Sequence, residues 1–474
     1  MMAAQNHVHE KPSADRINTV VSELQTMFGD RLTTNMTVRE QHANTTTWVK
    51  PQPADAVVYP ETTEEVSSIV KLCAANRVPV IPFGTGTSFE GHVNAPYGGI
   101  CVDTSRMNNI LDIYAEDLNC RIQPGVTREE LNDYLRDKGL FFPIDPGANA
   151  AIGGMVGTRA SGTNAVRYGT MKDNVLSLTV VLPNGDIVKT ASRAKKSSAG
   201  YDLTRLFVGS EGTLGIITEI VLKLHGQPEA ISAAICPFPT VKHACDAVIA
   251  AIQYGIPVAR MELMDEFTVR SLNDYSKLDL PVSPLLLLEF HGTEPSVKEQ
   301  AELFGEIAAE YEGGPFSWTV KPEERSKLWK ARHDAFWAVK LLRPGVKDVP
   351  TDICVPISRL AECVDETRRD LDESNLLGPI FGHAGDGNFH INLLIDMDDA
   401  DEVARMKAFM ERMVHRAIDM EGTCTGEHGI GQEKRKYLEI EYGREALDLM
   451  LTIKKAIDPL NIMNPGKIVT WQEK

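Results

Sequence analysis

Two histidines seven residues apart, His383 and His390, flank a glycine-bracketed turn in the segment His-Ala-Gly-Asp-Gly-Asn-Phe-His. Far downstream, Gly426-Glu427-His428-Gly429 places a carboxylate beside a third imidazole. Neutral imidazoles with a carboxylate suit Zn²⁺, Mn²⁺ or Fe²⁺, and three protein ligands leave coordination positions for a substrate. Phe389–Ile395 alternates as a strand, so His390, Asn392 and Leu394 share one face. Asp386, set between two glycines, reads as a turn-capping residue. The spacing is not HExxH, which leaves a metalloprotease without support. A non-haem iron oxygenase would need HxD/E plus a distant histidine, and that form is absent. A metal-dependent hydrolase without flavin stays open as the alternative from another class.

A second kind of chemistry is written in glycine. Gly84-Thr85-Gly86-Thr87-Ser88-Phe89-Glu90-Gly91 follows a strand expected at Val78–Ile81. Its GxGxxxxG spacing is neither the GxGxxG of a nicotinamide fold nor GxxxxGK[ST]. Exposed N–H groups with the hydroxyls of Thr85, Thr87 and Ser88 suit a pyrophosphate. Taken alone, the loop is equally well a tight turn. Residues 148–169 are rich in Gly and Ala and offer backbone rather than side chains to whatever they contact. A second glycine loop runs from Gly209 to Gly215.

The elements that must position these groups divide near residue 225. Upstream, the pattern gives a helix over Glu64–Asn76 capped by Thr62 or Thr63, strands at Val57–Tyr59 and Gly99–Asp103, and a helix over Arg128–Lys138. A hairpin follows, Val175–Leu182 against Ile187–Thr190, then a strand at Ile216–Leu224. Downstream, strands at Ala230–Cys236, Pro257–Leu263 and Leu285–Phe290 alternate with helices Val241–Tyr254, Ser296–Tyr311 and Glu323–Lys340. That suits an antiparallel sheet with helices on one face, an α+β arrangement.

At 474 residues, the chain holds two or three domains. Its net charge, 49 − 66 = −17, argues against nucleic-acid binding and weakly against anionic lipid. No apolar run approaches the ~20 residues of a membrane span, and Met1–Glu10 lacks a signal-peptide core. Eight cysteines without CxxC spacing read as buried reduced thiols rather than a disulfide framework, zinc knot or haem site. A cytoplasmic protein is expected, with peripheral membrane association left open.

Five separated motifs agree in order: PFGTGTSFEG, FPIDPGA (Phe142–Ala148), IGGM (Ile152–Met155), ASGTNAVRYG (Ala160–Gly169) and GSEGTLGIIT (Gly209–Thr218). Together they closely resemble the FAD-binding domain of the vanillyl-alcohol oxidase / p-cresol methylhydroxylase superfamily. KARHDAFW (Lys330–Trp337), TDICVPISRL (Thr351–Leu360), GHAGDGNFH, CTGEHGIG (Cys424–Gly431) and DPLNIMNPGK (Asp458–Lys467) resemble the C-terminal cap of FAD-linked D-2-hydroxyacid dehydrogenases, closest to the cytochrome-linked D-lactate branch. The resemblance spans residues ~50–470.

It implies a PCMH-type FAD-binding domain followed by an α+β cap: an N-terminal helical segment 1–50, the FAD domain 51–227, the cap 228–438 and a returning segment 439–474. Gly84–Ser88 and Gly91 would wrap the pyrophosphate of a non-covalent FAD. Pro143, Asp145, Gly153, Gly154, Ser161, Gly162, Tyr168 and Gly169 would line flavin and ribose. Glu211, Gly212, Gly215 and Ile217 would meet adenine and ring, and Asn464 would return to the flavin. His383, His390 and Glu427 would hold Zn²⁺ or Mn²⁺, with His428 as general base. Arg332, with Lys347 second, would hold the substrate carboxylate, and Asn392 stands by as a hydrogen-bond donor. The implied reaction is oxidation of a D-2-hydroxy acid, D-lactate first and D-2-hydroxyglutarate or glycolate as alternatives. Electrons would leave to an external cytochrome, quinone or electron-transfer flavoprotein. Phe336 and Trp337, following Arg332, favour a short or apolar substrate tail over a second carboxylate.

Overall fold

A computed structural model describes residues 11–45 and 47–471, apart from the side chains of His333 and Phe336. The reading of Met1–Glu10 therefore lies outside the described residues. Two compact units emerge, and they do not follow chain order. The first comprises residues up to Ala160, Thr170–Gly226 and Glu427–Lys474; the second comprises Ser161–Gly169 and Gln227–Gly426.

In the first unit, strands Ala56–Val58, Ile100–Asp103 and Val80–Phe83 run parallel, with Leu32–Thr33 antiparallel at one edge. The helix Thr63–Asn76 makes the crossover. Thr62 caps it by accepting from Glu65 N–H, and Val66, Ile69, Val70 and Cys73 pack inward. An antiparallel five-stranded sheet follows: Ile110–Tyr114, Asn119–Ile122, Ile216–Lys223, Val175–Val181 and Ile187–Lys189. The chain end returns to the parallel sheet. Val80 donates to Ile462 O, and Asn464 N–H donates to Val80 O at 2.8 Å. Buried Lys454 holds this return by bonding Thr213 O, Asp458 Oδ2 and Met463 O.

The second unit is built on an eight-stranded antiparallel sheet. Its main path runs Ser317–Thr319, Ala230–Pro237, Leu285–Gly292, Val258–Met264, Ile380–His383, Asn388–Ile395 and Lys347–Pro350, and Ile353–Cys354 pairs with Asn388–Ile395 off that path. Asn388–Ile395 is buried throughout, so both faces of the sheet are covered. On one face Phe290 meets Phe304 of the helix Glu294–Glu310, with ring centroids 6.2 Å apart. On the other, Leu285, Leu287, Met264 and Phe381 pack against Val269, Leu272, Trp329, Ala335 and Ala338 from three helices. Helices therefore lie on both faces, where the strand-helix alternation alone suggests one. Strand alternation explains why: odd and even positions of an all-apolar strand each need a cover. The helix expected over Glu323–Lys340 is two helices, Pro322–His333 and Ala335–Lys340, broken at Asp334.

Seven of the cysteines are buried and Cys354 is partly exposed, and none of them forms a disulfide. No helix among the described residues is long and apolar enough to cross a membrane.

Candidate active site

The sheet of the second unit carries a buried polar stripe on one face. Register sets it: Phe381 pairs with His390, His383 with Asn388, and Glu262 with His383. Antiparallel partners point the same way, so Glu262, His383, His390 and Asn392 share that face. The tight turn Ala384–Asp386 joins the two histidine strands through Gly387 at φ 75°. A Cβ there would lie 2.0 Å from Val355 O, so only glycine fits.

The two imidazoles meet edge to face, with centroids 5.5 Å apart. His383 Nδ1 lies 2.6 Å from Glu262 Oε1, and His390 Nδ1 lies 3.1 Å from Thr351 O. A carboxylate and a carbonyl can only accept, so each Nδ1 must carry the proton. In a neutral ring that leaves the lone pair on Nε2, the state a metal ligand needs. His383 and His390 thus offer two imidazole nitrogens on one face of this sheet, and Glu427, which belongs to the first unit, is the third residue of the candidate ligand set. This donor set fits a divalent ion with open positions.

Arg332, on the helix Pro322–His333, is 8% exposed and not a surface charge. Its Nε and Nη2 donate to Glu262 Oε2 at 2.9 and 2.5 Å, and its guanidinium lies 4.9 Å from the Phe381 ring centroid. Burial alone would raise the Glu262 carboxyl, but His383 and Arg332 outweigh it and hold the group below the usual carboxylate range.

The other sequence candidates fare differently. Lys347 is exposed and pairs with Ile395 at the far end of its strand, so the structure does not bring it to this group. Asn392 is buried and donates to Asp348 Oδ2 at 3.3 Å. The Phe336 ring lies outside the described residues. Trp337 is 56% exposed with Lys340 over its face, and the Phe381 ring lies against the Arg332 guanidinium.

Asp348 itself is buried, and burial pushes its carboxyl from 3.8 up to about 7 against the opposing pull of Lys340, 3.9 Å away, Asn392 and Lys347. A raised carboxyl favours the fold below pH 4 and loses that contribution as pH rises through 7. Asp348→Asn should therefore match the parent in stability near pH 4 and exceed it by roughly 1–3 kcal/mol at pH 8, in denaturant titrations. Equal stability at both pH values would show that Asp348 ionises freely.

In the first unit, the glycine loop after Val80–Phe83 is shaped by sterics. Gly86 has φ 66° and leaves no room for a Cβ, which would lie 2.8 Å from the Phe83 ring. Gly91 (φ 75°) is likewise crowded by Gln432. Thr85 Oγ1 accepts from Ala151 N–H at 3.4 Å and lies 3.4 Å from Thr87 Oγ1; Ser88 follows in the same loop. Gly84 approaches Gly154, whose own Cβ would meet nothing within 4 Å. This bare backbone cradle suits a dinucleotide's phosphates. Gly153 packs on Pro124, Gly212 on Pro82 and Gly215 on Val180, each too close for any side chain. Ile217 lies on the strand Ile216–Lys223 and packs against the core, and Asp145 is buried two residues after Pro143.

Glu211, at φ 52°, spends its carboxylate on the loop that carries His428: it accepts from Ile430 and Gly431 N–H at 2.7 and 2.8 Å. His92 Nε2 lies 3.3 Å from Glu211 Oε1. His428 sits in this pinned loop, 4.6 Å from the Phe89 ring. Asn464 Nδ2 donates to Glu211 O and His92 O, while its buried Oδ1 has no partner. That orphan acceptor beside the glycine loops is what a ligand N–H would satisfy.

In the second unit, Ser161, Gly162 and Gly169 belong to the short segment that includes Tyr168. Tyr168 OH bonds His291 Nδ1 at 2.7 Å, and His291 Nε2 bonds Glu289 Oε1 at 2.7 Å. Neither this chain nor Glu262 and Thr351 is apparent from motif spacing. The available signal is a lone acid between apolar neighbours, Met261-Glu262-Leu263-Met264 and Leu288-Glu289-Phe290.

A glycine-cradled dinucleotide site and a histidine–carboxylate centre on an antiparallel sheet define an FAD-linked oxidoreductase. Residues 54–191 match the FAD binding domain family and residues 227–468 match the C-terminal domain of FAD linked oxidases. The chain belongs to the FAD-linked oxidase family.

Among similar proteins, a probable mitochondrial D-lactate dehydrogenase of Danio rerio is 49% identical over 96% of this chain and 92% of its own. The mitochondrial D-lactate dehydrogenase [cytochrome] of Arabidopsis thaliana is 48% identical over 95% and 80%. A substrate-bound p-cresol methylhydroxylase structure shares the fold, with a TM-score of 0.81 at 18% identity over 98% of this chain and 99% of that one. Both relatives carry "mitochondrial" in their names, so the expectation of a cytoplasmic protein gains nothing from them.

Proposed function

We propose that this protein oxidises a D-2-hydroxy acid, D-lactate before others, to the 2-oxo acid and passes the electrons to an external acceptor. The observation that carries the reading is the histidine pair with both Nδ1 protons committed, coupled through Glu262 to a buried arginine. It stands in a chain whose relatives are named for D-lactate oxidation.

Oxidation removes a hydride from Cα and a proton from the hydroxyl. When bound, FAD supplies a two-electron acceptor, and a divalent metal, Zn²⁺ or Mn²⁺, lowers the pKa of a coordinated hydroxyl. His383, His390 and Glu427 would hold the metal. The loop Gly84–Gly91 would hold the pyrophosphate, and the segments around Asp145, Gly154, Tyr168 and Asn464 the rest of FAD. Arg332 binds the substrate carboxylate with the guanidinium edge that Glu262 leaves unused. His428 Nε2 takes the hydroxyl proton. Asn392, on the face of His390, donates to the substrate, and the Phe381 ring favours a short tail. The acceptor is a cytochrome, as in the name of the Arabidopsis relative, or a quinone or electron-transfer flavoprotein.

The test is kcat/KM for D-lactate, D-2-hydroxybutyrate, D-2-hydroxyglutarate, glycolate and L-lactate with an artificial acceptor. D-lactate or D-2-hydroxybutyrate should lead, with L-lactate nearly inert because its Cα–H would point away from a bound flavin. A preference for the dicarboxylate or for glycolate would overturn the substrate and leave the reaction class standing.

A further inference from the structure

We propose that Glu262 is a positioning residue for this reaction: one buried carboxylate sets both the metal-facing imidazole of His383 and the substrate-facing guanidinium of Arg332. The assignment rests on the functional reading above and deepens it.

Glu262 sits at the centre of the strand Val258–Met264, between Leu285–Gly292 and Ile380–His383, and has no exposed surface. A carboxylate buried that deeply persists only when both oxygens are matched by donors. Here they are. Oε1 takes the Nδ1 proton of His383, and Oε2 takes two protons from Arg332.

Two consequences follow from the geometry. The first is tautomeric: with Nδ1 protonated, His383 presents Nε2 as a lone pair. The second is orientational. Glu262 consumes the Nε/Nη2 edge of the guanidinium and Phe381 lies against it, so the plane is fixed and the Nη1 side is left for a ligand carboxylate. Metal and substrate carboxylate are thereby indexed to the same atom pair. Positioning is separable from simple charge balance. If Glu262 only offset the positive charge of Arg332, removing its charge would strengthen substrate binding; if it positions, removal weakens it.

Glu262→Gln separates these readings. The glutamine oxygen can accept from Arg332 or from His383, and its NH₂ must then face an N–H of the other. One partner has to turn away. We expect metal affinity, measured by chelator competition on the FAD-loaded protein, to fall about 10–100-fold, the usual cost of losing a histidine's outer partner. KM for D-lactate should rise, while flavin content stays at the parent level. Glu262→Asp keeps both acceptor oxygens and should recover part of both losses; it carries the test if the glutamine variant does not fold. Metal affinity and KM within twofold of the parent, or a lower KM, would overturn the assignment. A parent protein that binds no metal would instead overturn the functional reading, and this assignment with it.

Discussion

Replacing His428 by alanine is expected to lower the single-turnover rate of flavin reduction by about 10²–10⁴-fold, the range for a lost general base. The protein should nevertheless load FAD and metal as the parent does. The structural reason is local. The loop carrying His428 is held by its backbone, through Ile430 and Gly431 N–H to Glu211, and by glycines 429 and 431 in positive-φ conformations. None of these needs the imidazole. The alanine variant should therefore keep the loop in place and lose only the proton acceptor. Stopped-flow mixing with D-lactate reads the rate, and absorbance and metal analysis read the loading. A fall of less than about tenfold would place the base elsewhere.

His383→Ala and His390→Ala should each remove most of the bound metal and abolish turnover while leaving FAD bound. Three ligands leave little redundancy, and the loss of one imidazole from such a set is not made good by water at comparable affinity. The alanines differ in what they strand. His383→Ala takes the His383 N–H away from Glu262 Oε1, a carboxylate with no exposed surface, whereas His390→Ala takes one from the Thr351 carbonyl and removes a ring nitrogen 3.7 Å from Asp352 Oδ1. The first variant should therefore be the less stable, by about 1–3 kcal/mol relative to the second. Chemical denaturation of both, alongside elemental analysis, checks this. Full metal content in either variant would remove that histidine from the ligand set.

What was legible in the sequence and what was not divides along sequence distance. The glycine loops, the GDGN turn and the EHG segment are local, and their chemistry is set within ten residues. Gly86 and Gly387 are where the spacing placed tight turns, and both are at positive φ with no space for a Cβ. Arg332 was legible as a cation, whereas the Phe381 ring 4.9 Å from its guanidinium comes from a strand distant in sequence. Lys347 is the second candidate by charge. Strand register, which no short motif encodes, puts it opposite Ile395 and away from His390.

Glu262 was missed for the same reason. Its partners are 121 residues away at His383 and 70 at Arg332, and only the antiparallel pairing unites them. The strands were readable from apolar alternation, yet their order in the sheet was not. That order decides which of several buried acids becomes part of the site. The break at Asp334 was also hidden, since 322–340 has a continuous helical composition.

The central claim is stereospecific reduction of a bound flavin by a D-2-hydroxy acid. Anaerobic titration of the purified yellow protein with D-lactate, and separately with L-lactate, tests it most directly. The account predicts full bleaching of the flavin band by D-lactate, release of pyruvate in equal amount, and no bleaching by the L enantiomer. A flavin that stays oxidised with D-lactate and every other D-2-hydroxy acid in the panel, in protein shown to carry its metal, would contradict it.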